Sequence, residues 1–254
     1  MTKIEKAENE VIAQKCASTL REELKLGTKP ISDIRSLVST KDFILLMFPT
    51  EMPIDGLSLM KLDKGNPVNC IYVNTYRPKG RVNFTIAHEL YHIYFEKSSI
   101  DKVTTKSKKD PVEYRAELFA SHFLVPREEI IEILERKNLS NTKSIEMSDI
   151  FEIQKYFEVS FQAIIQIISS LKNTEYSYLV PNNISNYGKY FQAPYWDELE
   201  KLTARLDCDN NLNAISLEYY LPAHFETIIR ENLRKGKTDV ETASSLLNFF
   251  LKDL

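Results

Sequence analysis

Apolar positions recur at helical spacing through the first part of the chain. Ala7, Val11, Ala13, Ala17, Leu20 and Leu24 predict a helix over about residues 5–26, ended by Gly27 and Pro30. Ile34, Leu37 and Val38 mark a short second helix within 32–39. β-like sequence follows: Phe43–Phe48 is a short apolar run, Leu57–Leu62 partly alternates and Cys70–Asn74 is β-rich, with Lys64-Gly65-Asn66-Pro67 as a turn. Together they predict a small three-stranded, mainly antiparallel sheet. Residues 81–97 return to helical spacing but are apolar on nearly every side, the mark of a buried helix. A polar loop is expected at 97–110. A capped helix follows from Asp110-Pro111-Val112-Glu113, with Ala116, Phe119, Ala120, Phe123 and Leu124 on one stripe. Further helices are expected at 128–136, at 149–171 (split near 158–160), and at 196–206, 223–233 and 240–254, with irregular chain at 174–195. The fold class is α+β, mostly helical, with a helical C-terminal region and a soft boundary near 175.

Composition narrows this only slightly. The 254 residues are 43% hydrophobic and 27% charged, ordinary for a globular chain. The net charge of −3 does not suit a protein that coats nucleic acid. The three cysteines, Cys16, Cys70 and Cys208, are scattered and include no CxxC pair, so neither a disulfide framework nor a thiolate zinc site is expected. A reducing, cytoplasmic setting is the expectation. The first residues lack the apolar stretch of a signal peptide, and no apolar run is long enough to span a bilayer.

The candidate chemistry lies in the buried helix, at His88-Glu89-Leu90-Tyr91-His92. Positions i and i+4 share one helix face, so the two imidazoles project side by side and can bind one Zn²⁺. Glu89 is placed to reach a metal-bound water as general base and later to return the proton to a leaving amine. Solvated histidines on a polar face are the plain alternative, but a buried helix demands partners for them. A catalytic zinc takes a third protein ligand and keeps a fourth position open. Glu96, Asp101, Asp110, Glu113 and Glu117 are the nearby acids. Glu113 is the best placed, with Ala116 and Ala120 on its stripe allowing close helix approach, and Glu117, one turn on, is the rival. Closing its own capping box is the alternative role for Glu113. His122 is out of phase with Glu113.

Arg81-Val82-Asn83-Phe84-Thr85-Ile86-Ala87-His88-Glu89-Leu90-Tyr91-His92 resembles the R-x-x-F-T-x-A-H-E-L-x-H signature of ImmA/IrrE-type metallopeptidases. Glu113 to Pro126 resembles the family's E-x-x-A-N-x-F-A-x-x-L-L-x-P segment. Ile71-Tyr72-Val73-Asn74 is similar to its strand ending in Asn, and Ile153 to Ser160 to a helix-turn-helix-like part. Tyr91, Glu117 and Phe123 depart from the residues frequent at those positions. The resemblance implies a zincin-like metallopeptidase domain over 1–135, a helical segment over 136–175 packed on it, and a C-terminal helical region, 176–254, that matches nothing. It implies Zn²⁺ held by His88, His92 and Glu113, with Glu89 catalytic. It further implies a regulatory endopeptidase that cuts a protein substrate, such as a helix-turn-helix repressor of a mobile genetic element, and so affects transcription. Substrate is expected to lie along a sheet edge, with the strand at 70–74 as candidate. Tyr91, Tyr94 and Tyr114 are candidate oxyanion donors. A DNA-binding or non-proteolytic regulator that keeps the peptidase fold is the alternative, though 147–158 has little Lys or Arg for phosphate contacts. A purely structural zinc is a third possibility, which Glu89 argues against.

Overall fold

The computed structural model describes residues 1–38, 43–63, 66–96, 110–191, 196–205, 212–222 and 225–251. Helix α1 spans Lys3–Glu23 and starts two residues before the periodicity suggests, because Thr2 and Glu5 close a capping box. The Thr2 hydroxyl accepts the Glu5 N–H at 3.2 Å, and the Glu5 carboxylate accepts the Thr2 N–H at 2.6 Å. Ala13, Ala17 and Leu20 are buried where α1 packs on α4 (Pro111–Leu124). Arg21 is buried too. Its guanidinium donates to the Gly27 carbonyl at 2.8 Å, to Phe123 O at 2.5 Å and to Lys29 O, tying the chain after α1 to the end of α4. Burial pulls the Arg21 pKa down to about 10. A single turn, α2, follows at Arg35–Val38.

Three strands follow: β1 at Phe43–Phe48, β2 at Gly56–Asp63 and β3 at Asn66–Asn74. Their order is β1-β3-β2. β2 is antiparallel to β3, but β1 lies parallel to it, so the sheet is mixed rather than mainly antiparallel. The chain reverses between β1 and β2 and again between β2 and β3, and β1 sits on the far side of β3. Two reversals restore the direction of β1. Asn66 and Pro67 lie inside β3 rather than in a turn. The buried Asn74 ends β3 and secures the connection from β1 to β2. Its Oδ1 accepts the Thr50 N–H at 3.0 Å, and its Nδ2 donates to Thr50 O and Ile54 O, both at 2.9 Å.

Helix α3, Lys79–Phe95, packs on β2, β3 and α4. Val82, Ile86, Ala87 and Leu90 are buried, as its apolar circumference requires. The loop expected at 97–110 lies outside the described residues except for Asp110, whose carboxylate accepts the Val112 N–H at 2.9 Å and caps α4. Helices α5 (Arg127–Arg136), α6 (Met147–Phe157) and α7 (Phe161–Ser170) follow. The α6–α7 turn packs against the first turn of α3. Asn83 donates to Glu158 O at 2.8 Å, and a Cβ added to Gly80 would lie 2.5 Å from Ser160 N. Gly80 is therefore required for this contact. Short 3-10 turns occupy Leu171–Asn173, Ser177–Leu179 and Ile184–Phe191, and α8 spans Trp196–Arg205.

Residues 212–219 form an irregular strap that the apolar pattern does not disclose. It pairs with the link between β3 and α3: Lys79 N–H donates to Ala214 O at 3.1 Å, Ser216 to Arg77 O at 2.9 Å and Leu217 to Thr75 O at 3.1 Å. The Gln154 side-chain amide adds a hydrogen bond, donating from Nε2 to Asn213 Oδ1 at 2.8 Å. The chain divides into two units, Met1–Tyr219 and Tyr220–Leu254. The divisions expected at 135 and 175 both fall inside the first. The second is a helical pair, α9 (Phe225–Arg234) and α10 (Val240–Leu251), with Ile229 and Ala243 buried. No described helix is long and apolar enough to cross a membrane.

Candidate metal centre

Helical spacing in α3 sets His88 and His92 one turn apart, and both are buried. Their Nε2 atoms face each other at 3.2 Å. Glu113 reaches them from α4, across a contact made close by the fully buried Ala87, Ala116 and Ala120. Its Oε2 lies 3.3 Å from His88 Nε2 and its Oε1 lies 3.5 Å from His92 Nε2. These three side chains are the one group among the described residues able to hold a metal ion. The separations fit such a group. Tetrahedral bonds of ~2.0–2.1 Å place neighbouring ligand atoms about 3.3–3.4 Å apart. Two imidazole nitrogens and a carboxylate are also a donor set that zinc favours.

Glu89, the next residue along α3, lies against the start of β2. It is 3% exposed, and its Oε2 is buried with no hydrogen-bond partner among the described residues. A buried carboxylate oxygen without a donor is costly. Gly56, at the start of β2, makes room for Glu89. A Cβ there would lie 2.8 Å from Glu89 Oε1 and 2.4 Å from Thr85 Cγ2. Asp55, the residue before it, is held by Arg77 Nε and Arg81 Nη2, each at 2.8 Å, and its carbonyl accepts the Asn74 N–H at 2.8 Å. The periodicity pointed to none of these supports. The signals present were a glycine opening a strand and an acid flanked later by two arginines.

The remaining candidates fall elsewhere. Glu117 is exposed and outside the group. Asp110 caps α4, while Asp101 lies outside the described residues. His122 pairs with Glu10 of α1 at 2.8 Å. That bond holds the Glu10 carboxyl below its ordinary pKa. Glu96 meets the outer nitrogen of His92, Nδ1, at 2.5 Å. Tyr91 packs on Phe95 and Phe119, and its hydroxyl accepts the Arg115 Nε–H at 3.0 Å. Arg115 continues to Asn9 of α1 at 2.9 Å, so Tyr91 joins three helices. Burial raises its pKa. Tyr94 stacks on Phe43. Tyr114 lies near Glu10 and Glu117; burial and then their charges raise its pKa.

The strand at 70–74 is not an edge. β3 is central, paired with β1 on one side and β2 on the other, because β1 returns parallel to it. The edge strand that meets Glu89 is β2.

Residues 44–169 match the model of the Peptidase_M78 family, described as the IrrE N-terminal-like domain. The match begins in β1, spans α3 and α4 with all four site residues, and ends in α7. No curated protein matches the chain. Within residues 44–169 the chain carries an IrrE N-terminal-like domain of the Peptidase_M78 family, a zincin-like metallopeptidase domain.

Proposed function

We propose that the protein is a zinc-dependent endopeptidase, with His88, His92 and Glu113 as metal ligands and Glu89 as the acid–base group. The observation that carries this reading is the convergence of three buried side chains, His88, His92 and Glu113, with donor-atom separations of 3.2–3.5 Å, on and against the helix that also carries Glu89, whose buried Oε2 has no hydrogen-bond partner among the described residues. Zinc bound there would supply Lewis acidity, lowering the pKa of a water and polarising a carbonyl. The chain's own residues do the rest. Glu89 Oε2 accepts the proton of the attacking water and returns it to the departing amine. Asn74, Asp55 and Gly56 hold β2 against Glu89, so that an extended peptide paired to that edge would pass the carboxylate. The substrate is a protein, and a helix-turn-helix repressor is the class we favour, with release of transcription, in the setting of a mobile element, as the consequence. Cys16 and Cys70 are free thiols, in keeping with action in the cytoplasm.

Direct DNA binding through α6 and α7 lacks support. The α7 sequence FQAIIQIISS carries no Lys or Arg, and Phe161, Ala163, Ile164, Ile165 and Ile168 are buried. Phosphate contacts require positive charge.

The test is cleavage of a repressor encoded beside this protein, read by mass spectrometry of the fragments. Wild type is expected to cut at one site, and Glu89→Gln to cut ~10²–10⁴-fold more slowly while keeping its metal. Equal cleavage by Glu89→Gln would overturn the catalytic assignment.

A further inference from the structure

We infer that Glu96 is a positioning residue for the metal centre, acting through His92; this inference rests on the zinc reading of His88, His92 and Glu113. Glu96 is the C-cap of α3, and its N–H donates to His92 O at 3.1 Å. A carboxylate at the C-terminal end of a helix faces the negative end of the helix dipole, where a cation or a glycine is the favoured choice. Helix stability therefore does not account for an acid at this position. Geometry does. Glu96 is four residues after His92, on the same face, and its Oε2 lies 2.5 Å from His92 Nδ1. The opposite ring nitrogen, Nε2, faces His88 Nε2 and Glu113 Oε1. The carboxylate only accepts, so the contact places the ring proton on Nδ1 and leaves the Nε2 lone pair aimed into the group. It also fixes the plane of the ring and makes Nε2 a stronger donor. The helix thus carries two kinds of acid at this centre: Glu89 faces the reacting water, and Glu96 stands behind a ligand.

The experiment uses the full 254-residue chain. Zn²⁺ affinity is measured by chelator competition for wild type, Glu96→Gln, Glu96→Ala and Glu113→Ala. The His92 tautomer is read separately, by two-dimensional ¹H–¹⁵N NMR of the metal-free protein. Glu96→Ala is expected to bind Zn²⁺ ~10–100-fold more weakly and to lose the single Nδ1–H tautomer at His92. Glu96→Gln, whose amide oxygen can still accept from Nδ1, is expected to recover most of both. Thermal melts of each variant separate these effects from loss of fold, and the wild-type tautomer carries the test should Glu96→Ala not fold: a single Nδ1–H tautomer at His92 is expected, and an Nε2–H or mixed tautomer would overturn the role of Glu96. Unchanged affinity and tautomer in Glu96→Ala, with Zn²⁺ lost in Glu113→Ala, would overturn the role of Glu96 and leave the metal centre standing. A wild type that binds no Zn²⁺ would overturn the metal reading and this inference with it.

Discussion

At Glu89, a carboxylate 3% exposed sits between a ligand helix and an edge strand, and the residue across from it is a glycine. Gly56 has no special backbone angle here; what it supplies is space. Gly56→Ala would drive a methyl group into Thr85 and the Glu89 carboxylate. It is expected to destabilise the fold by ~1–3 kcal/mol and to lower kcat more than a surface alanine would, since Glu89 must shift. A melt alongside the cleavage rate checks both. A variant with wild-type stability and rate would show that the strand can yield. At this scale the sequence places His88 and His92 on one face of α3, because that depends only on helical spacing. Gly56 and Asp55 were hidden, since each acts through a contact with another part of the chain.

Elements show where pattern reading succeeds and where it stops. Helix α3 was visible from its apolar circumference, and the α4 start from Asp110 and Pro111. The direction of β1 was not, because pairing partners are set by tertiary packing and not by a strand's own period. The same gap led to β3 as an edge. The α6–α7 pair, with its turn docked on α3, makes a second prediction. Gly80→Ala is expected to cost ~1–3 kcal/mol in denaturant unfolding, because its methyl would meet Val159 and Ser160 backbone that cannot rotate away. The α1–α4 contact makes a third. Bonding to His122 holds the Glu10 pKa below its ordinary 4.5. That contribution to stability is present above pH 4.5 and is lost as pH falls through the folded value. Glu10→Gln should therefore flatten the acid limb of the stability–pH curve below that point. An unchanged acid limb would remove the pair from the stability account.

The whole molecule comprises the unit Met1–Tyr219, which contains the family domain, and the helical pair Tyr220–Leu254. The strap at 212–219 explains why the first unit runs so far past residue 175. It bonds backbone to backbone with residues 75–79, and such pairing leaves little trace in side-chain pattern. On the proposed zinc reading, the buried group of two histidines and a glutamate would make stability depend on metal. Excess Zn²⁺ at about 100 times its Kd should add ~2.7 kcal/mol, seen as a higher Tm that a chelator reverses. The most direct measurement is metal content per chain, by inductively coupled plasma mass spectrometry, of purified wild type and of His88→Ala, Glu113→Ala and Glu117→Ala. One zinc per chain is predicted in wild type and Glu117→Ala, with loss in His88→Ala and Glu113→Ala. Zinc retained in Glu113→Ala but lost in Glu117→Ala, or absent from wild type, would contradict the account.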